Sequence, residues 1–205
     1  MAYLVILRHG QSEFNLQNRF TGQLDIGLTE NGRAEARAAG QKLLAKHFNF
    51  QGIFTSGLKR AQETLNIVLD EMHSTFDRNF IVRSNALNER HYGDLQGLNK
   101  LETASKYSSE QVMLWRRGYA TRPPGGESLE DTFNRTVPFY KENIEPLLKK
   151  NKNVLIVAHG NSLRALMMYV EHISPTAVEH VEIATGVPKL YEFNDSLQVL
   201  SMISI

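Results

Sequence analysis

The chain alternates short apolar runs with longer stretches of helical periodicity. Tyr3-Leu-Val-Ile-Leu7 is apolar throughout, rich in β-branched residues and closed by Arg8-His9-Gly10, so it predicts a strand buried on both faces. After a polar loop, Ala36, Gly40, Leu43 and Leu44 recur at helical spacing up to His47, with Thr29 as N-cap and Glu30 in the first turn. Ile53 to Thr55 predicts a second strand, ending at Ser56, which caps a helix with Leu58, Ala61, Leu65, Val68 and Met72 inward. Phe80 to Arg83 predicts a third strand, followed by an irregular stretch from Asn88 to Gly97 and two short helices. The second of these starts at Ser108 with Gln111 at capping-box spacing and ends near Trp115-Arg116-Arg117.

Pro123-Pro-Gly-Gly126 is the clearest breaker in the chain. Ser128 to Lys150 then reads as one long helix, kinked at Pro138, with Leu129, Phe133, Val137, Tyr140, Ile144 and Leu147 inward. Asn153 to Ala158 predicts a buried strand. Asn161 to His172 reads as a helix with Leu163, Leu166, Met167 and Val170 on one face, and Leu190 to Ile203 as a hairpin around Asn194-Asp195. Strands alternating with helices imply an α/β fold: a mainly parallel central sheet flanked by helices on both faces, with an antiparallel edge strand. With no repeat or long linker, the expectation is one domain over residues 1–205, in which 86–127 is an excursion over the active face.

Composition narrows the classes. A chain of 205 residues with 41% hydrophobic and 22% charged residues is neither disordered nor low-complexity. Its net charge of +1 provides no broad basic field, so neither nucleic acid nor a membrane is an expected partner, and any anion site must be a local cluster. The absence of cysteine excludes disulfides, thiolate zinc sites and thiol nucleophiles. No apolar run is long enough to span a bilayer, and the N-terminus lacks the basic region of a signal peptide, so the expectation is a cytoplasmic protein. Without HExxH or a carboxylate ligand set, no metal is expected.

Candidate chemistry starts with His9 and His159, each directly after an apolar strand and directly before glycine. Open α/β sheets bind ligands outside the carboxyl ends of their strands. One such histidine is more often a satisfied polar residue at a strand end. Two in the same context, with Arg8 before the first, point to a shared function.

Arg8-His9-Gly10-Gln11-Ser12 after the first strand and His159-Gly160 after a late one resemble the histidine phosphatase superfamily. The resemblance implies a phosphoglycerate mutase-like, three-layer α/β/α fold with His9 as the nucleophile that becomes a phosphohistidine. Neutral imidazole can attack phosphorus in line, and nearby cations both offset the phosphoryl charge and disfavour imidazolium. Arg8, Arg60 and His159 are the implied phosphate clamp, Arg60 because Thr55 to Thr64 matches the family's second arginine motif. Gly10, Gln11, Ser12, Glu13, Asn15, Thr21 and Gly22 are implied binding residues of the first loop, and Gly160 and Asn161 of the later one. Glu89 is the implied proton carrier.

Leu87-Asn-Glu-Arg-His-Tyr-Gly-Asp-Leu-Gln-Gly-Leu-Asn-Lys100 is similar to the corresponding block of cofactor-dependent phosphoglycerate mutases. The likeness continues through Trp115-Arg-Arg-Gly118, His159-Gly-Asn-Ser-Leu-Arg-Ala-Leu166 and Thr185-Gly-Val-Pro188. It implies that Arg90, His91, Tyr92, Lys100, Arg116 and Arg117 hold the far end of the substrate. The implied reaction is the interconversion of 3-phosphoglycerate and 2-phosphoglycerate, in glycolysis and gluconeogenesis, primed by 2,3-bisphosphoglycerate without a metal. Oligomeric state stays open between monomer and homodimer. The chain departs from longer mutases in its short Tyr119 to Glu127 bridge, in stopping soon after the last strand, and in a Thr21 to Thr29 loop without tryptophan or proline. A thinner cover admits water to a phosphohistidine, so a phosphatase using the same His9 and Glu89 is the alternative reading. A non-catalytic phosphate-binding module is disfavoured, because binding alone needs neither nucleophile nor proton carrier.

Overall fold

The computed structural model describes all 205 residues. Six strands form one sheet: β1 (Ala2–Arg8), β2 (Gly52–Thr55), β3 (Val82–Arg83), β4 (Val154–Ala158), β5 (Pro188–Phe193) and β6 (Val199–Ser204). Their order is β3-β2-β4-β1-β5-β6, with β1, β2, β3 and β4 parallel and β5 and β6 antiparallel at one edge. The eight α-helices are α1 (Glu13–Leu16), α2 (Glu30–Ala45), α3 (Lys59–Glu71), α4 (Lys100–Tyr107), α5 (Ser109–Arg117), α6 (Leu129–Asn143), α7 (Glu145–Leu148) and α8 (Gly160–Val170).

Strand periodicity splits the core. Leu4, Ile6, Val154, Ile156 and Ala158 face one side and pack with Tyr140, Ile144, Leu163, Leu166 and Met167 from α6, the α6–α7 junction and α8. Val5, Leu7, Ile53, Leu155 and Val157 face the other side and meet Ala39, Leu43, Leu65, Val68 and Leu69 of α2 and α3. The central strands read as continuous apolar runs because both faces are covered.

Three local expectations are corrected. The Ser128–Lys150 helix is two helices: α6 runs through Pro138 and ends at Asn143, and α7 restarts with Pro146 in its first turn, where a missing N–H leaves no intrahelical bond unmade. Phe80 belongs to a 3₁₀ turn and is 72% exposed, leaving only Val82 and Arg83 in the third strand. On α2, Leu44 is exposed although it shares the predicted spacing, and Ala39 joins Ala36, Gly40 and Leu43 on the buried face, where Val68 and Glu71 of α3 pack against Gly40. The predicted N-caps Thr29 and Ser108 each accept a backbone N–H at their helix starts, and so does Ser128 at the start of α6.

The stretch 86–127 rests on a small core of its own, Phe20, Leu95, Val112 and Trp115. Backbone bonds tie it to the first loop: Phe20 N–H donates to Leu98 O (3.0 Å) and Lys100 N–H to Asn18 O (2.9 Å). That pairing carries α4 and α5 to the carboxyl ends of the strands.

Candidate active site

His9 follows β1, and its N–H donates to Ala158 O at 3.0 Å, continuing the β1–β4 ladder by one rung. This register sets the imidazoles of His9 and His159 side by side, with ring centroids 5.0 Å apart. Both rings are buried. His9 Nδ1 lies 2.7 Å from Gly10 O, which can only accept, so Nδ1 carries the hydrogen and Nε2 carries the lone pair. Arg60 Nε–H donates to that Nε2 at 3.2 Å. Burial first, then Arg60 and Arg8, hold His9 well below the ordinary imidazole range, so it is neutral. His159 is held down in the same way, by burial and then Arg60.

Arg60, in the first turn of α3, is buried, and its Nη1 and Nη2 donate to Leu24 O (2.9 Å) and Gly22 O (2.8 Å). Its pKa falls to about 10 through burial, which leaves it cationic at neutral pH. Gly22 has φ of 54°, and a Cβ there would sit 2.0 Å from Gln96 Oε1, so glycine is required for the loop to reach Arg60. Ser56, expected to cap this helix, instead lies 2.7 Å from His159 Nε2 while accepting Leu58 N–H; the N-cap is Leu58, without a side-chain cap.

Glu89 sits in the irregular stretch after β3, nearly buried. Its Oε1 accepts the N–H of Arg90 (2.8 Å) and of Asn161 (3.1 Å), the latter in the first turn of α8. Oε2 approaches Gly160, as does the Arg8 guanidinium. Arg135, absent from the sequence argument, braces this stretch: its Nη2 donates to Asn88 O (3.0 Å) and Glu89 O (3.2 Å) and pairs with Glu127.

A cleft of about 210 Å³ opens over these groups. Of the residues expected at the site, Arg8, His9, Asn15, Thr21, Gly22, Arg60, Glu89, Tyr92, Lys100, Arg116, Arg117, Gly160 and Asn161 line it. Gly10, Gln11, Ser12, Glu13, Arg90, His91 and His159 do not; His159 is fully buried beside His9. Gly10 spends its N–H on Thr64 Oγ1, and a Cβ on it would lie 2.1 Å from Gly32 O, so it shapes the loop. Gln11 Oε1 accepts the Thr29 hydroxyl, and Ser12 caps α1, whose first residue Glu13 is exposed. Arg90 is buried behind Tyr92, donating to Tyr92 Oη (2.9 Å) and Arg116 O (2.8 Å). His91 Nδ1 accepts Gly93 N–H.

Sequence reasoning missed Arg19, Arg164 and the strip Val181–Ile183 along the wall. Arg164 lies three residues beyond Asn161 on α8, a helical spacing that could have found it. No local motif marks the strip. Lys100 drops to about 8, through burial and then the nearby charges of Arg116 and Arg8. One pole of the cleft is thus His9, Arg8 and Arg60, with His159 buried beside His9, and the other is Lys100, Arg116 and Arg117. Arg8 Nε and His159 Nδ1 are buried without a partner, as a bound oxyanion would require. No group of three or more His, Asp or Glu is placed to hold a metal ion, and no helix is long and apolar enough to cross a membrane.

The profile of the histidine phosphatase superfamily (branch 1) matches residues 4–204. The chain is 55% identical over 202 residues to the 2,3-bisphosphoglycerate-dependent phosphoglycerate mutase of Cytophaga hutchinsonii, covering 98% of this chain and 92% of that one. It is 51% identical over 202 residues to the protein of the same name from Nitrobacter winogradskyi, covering 98% and 97%. Among solved structures, a mycobacterial glucosyl-3-phosphoglycerate phosphatase complexed with VO3 superimposes with a TM-score of 0.80 at 29% identity, covering 93% of this chain and 92% of that one.

Proposed function

The chain belongs to the histidine phosphatase superfamily (branch 1), and from that premise we propose that it interconverts 3-phosphoglycerate and 2-phosphoglycerate through a phosphohistidine at His9, primed by 2,3-bisphosphoglycerate. The observation that carries this reading is the two-poled cleft. A simple phosphate monoester needs only the cations around His9, whereas Lys100, Arg116 and Arg117 form a second anion-binding pole in the same cavity. Charge-assisted hydrogen bonds of roughly 1.5–3 kcal/mol each suit a small polyanion that offers little apolar surface. The relatives named as mutases, about half identical to this chain, support the same conclusion.

2,3-Bisphosphoglycerate fits the donor set: the unpartnered Arg8 Nε and His159 Nδ1 suit one phosphate, and Lys100, Arg116 and Arg117 suit the groups at the other end. When bound, it supplies the phosphoryl group that primes His9. The chain's residues then divide the work. His9 Nε2, its lone pair left free because the Gly10 carbonyl holds the hydrogen on Nδ1, would exchange its Arg60 hydrogen bond for a bond to phosphorus while the P–O bond to the glycerate oxygen breaks and protonated Glu89 gives that oxygen its proton. Arg60 and Arg8 meet the phosphoryl oxygens as charge shifts onto them. Ser56, accepting Leu58 N–H, gives its own hydrogen to His159 Nε2, so that His159 Nδ1 donates to the same phosphoryl group.

In transfer to substrate, the glycerate hydroxyl attacks phosphorus, the N–P bond breaks and Glu89 Oε2 takes the hydroxyl proton. Return of a phosphoryl group from the neighbouring oxygen reverses each of these: Glu89 gives back the proton and His9 regains phosphorus. Glu89 suits this because two backbone N–H groups hold Oε1 and leave Oε2 unencumbered. Incubated with 3-phosphoglycerate, 2,3-bisphosphoglycerate and enolase, the purified protein is expected to form phosphoenolpyruvate. Free phosphate in its place would assign the chain to hydrolysis, the activity named for the mycobacterial neighbour.

A further inference from the structure

The wall strip Val181–Ile183 contacts both poles of the cleft. Arg8 Nη1 donates to Ile183 O at 2.7 Å, and Arg117 Nη1 donates to Val181 O at 3.3 Å. Between them, the Glu182 carboxylate forms an ion pair with Arg117 Nη2. Glu182 and Glu89 are the only carboxylates lining the cavity, and Glu182 stands at the pole where every other charge is positive. The two partners differ in exposure: the Arg117 side chain is 23% exposed and that of Glu182 is 72% exposed. Arg117 is held in place at its backbone, because Arg164 Nη2 donates to Arg117 O (3.2 Å) and to Val178 O (2.6 Å). The cation is therefore the fixed member of the pair and the carboxylate is the one free to swing into solvent.

We propose that Glu182 is a surrogate anion, seated on Arg117 whenever a ligand's distal anionic group is absent and displaced when that group arrives. The proposal rests on the two-poled reading of the cleft and adds a specificity element to it. Isomerisation requires the distal group to leave its cations between the two half-reactions so that the other end can reach His9. A carboxylate ready to replace it keeps Arg117 paired throughout, so the exchange swaps one ion pair for another. The same competition weakens every two-headed ligand at equilibrium and leaves a ligand that reaches only the His9 pole untouched. Single-headed anions therefore bind as if Glu182 were not there.

The test is calorimetric binding of 3-phosphoglycerate and of inorganic phosphate to the wild type, Glu182→Gln, Arg117→Ala and the double variant. Glu182 is exposed, so its replacement leaves the fold intact. An exposed pair is worth up to about 1 kcal/mol, which corresponds to about a fivefold change in Kd. The expected result is up to about fivefold tighter 3-phosphoglycerate binding by Glu182→Gln, unchanged phosphate binding, and no effect of Glu182→Gln once Arg117 is alanine. Unchanged or weaker 3-phosphoglycerate binding overturns the proposal, as does an equal gain for phosphate or a gain that persists without Arg117. If 3-phosphoglycerate binds no better than phosphate in any variant, the distal pole takes no ligand and the proposal fails with it. Binding is read without turnover, so a tightened Glu182→Gln with no phosphoenolpyruvate in the enolase assay would keep this inference and reject only the mutase reading.

Discussion

Lys100 carries a charge whose presence depends on pH within the working range. Burial and the guanidiniums of Arg116 and Arg8 bring it to about 8, so it is mostly protonated at pH 7 and mostly neutral at pH 9. An anion at the distal pole binds the protonated form, and above pH 8 binding must draw a proton from solvent. The KM for 3-phosphoglycerate is expected to rise with pH above 8, approaching tenfold per unit. Lys100→Arg, which does not titrate there, should flatten the profile; the same rise in that variant would place the titration elsewhere. At this scale strand-end position and motif located the candidate residues: His9, Arg60, Glu89 and Lys100 line the cleft, and His159 is buried beside His9. It did not reveal what holds them. Arg135 under Glu89 and Arg164 behind Arg117 act on backbone carbonyls, and a carbonyl partner leaves no trace in the identity of the residue that supplies it.

At the scale of elements, the junction between α4 and α5 stores strain. Ser108 ends one helix and caps the next at φ 85° and ψ 154°, a region that only glycine occupies freely, at a cost of about 1–3 kcal/mol for other residues. Ser108→Gly removes that cost but gives up the hydroxyl that accepts Gln111 N–H, worth a few tenths of a kcal/mol when glycine is the replacement. The net expectation is a gain of about 1 kcal/mol in urea unfolding, and a loss would mean that the cap outweighs the strain. The capping-box spacing located this helix start correctly, because a cap is a local hydrogen bond between residues close in sequence. The α6–α7 break was not legible in the same way. Pro138 stands inside a continuous α6, and the chain breaks where Ile144 turns into the core, a tertiary preference that periodicity does not encode.

For the whole molecule, two buried neutral histidines tie stability to pH. His9 and His159 sit well below 6.5 in the folded chain, whereas the unfolded chain protonates them near that value. As pH falls through 6.5 the unfolded state binds protons that the folded state refuses, so stability declines by up to about 1.4 kcal/mol per pH unit for each imidazole. In phosphate-free buffer, urea unfolding between pH 7 and 5 should show this decline, and His9→Gln should remove about half of the histidines' share. A pH slope unchanged by that substitution would contradict the assignment. The net charge of +1 gave no hint of the site, because the cations gathered in one cleft are balanced by carboxylates spread over the surface. The relatives bearing the mutase name are matched over 92% and 97% of their own length.

The sheet order has one more consequence, for the birth of the protein. β1 lies between β4 and β5, so this strand finds its partners only after β2 and β3 and the helices between them have been made. Until then the loop after β1 has no Ala158 carbonyl to receive His9 and no second histidine beside it. β2 and β3 can pair with each other during synthesis, but a nascent chain stalled before β4 contains His9, Arg60 and Glu89 and still lacks His159 beside them. Long-range closure of this kind is slow and comes late. The paired histidines are therefore brought together in a single event that waits for β4, however early His9 itself is made.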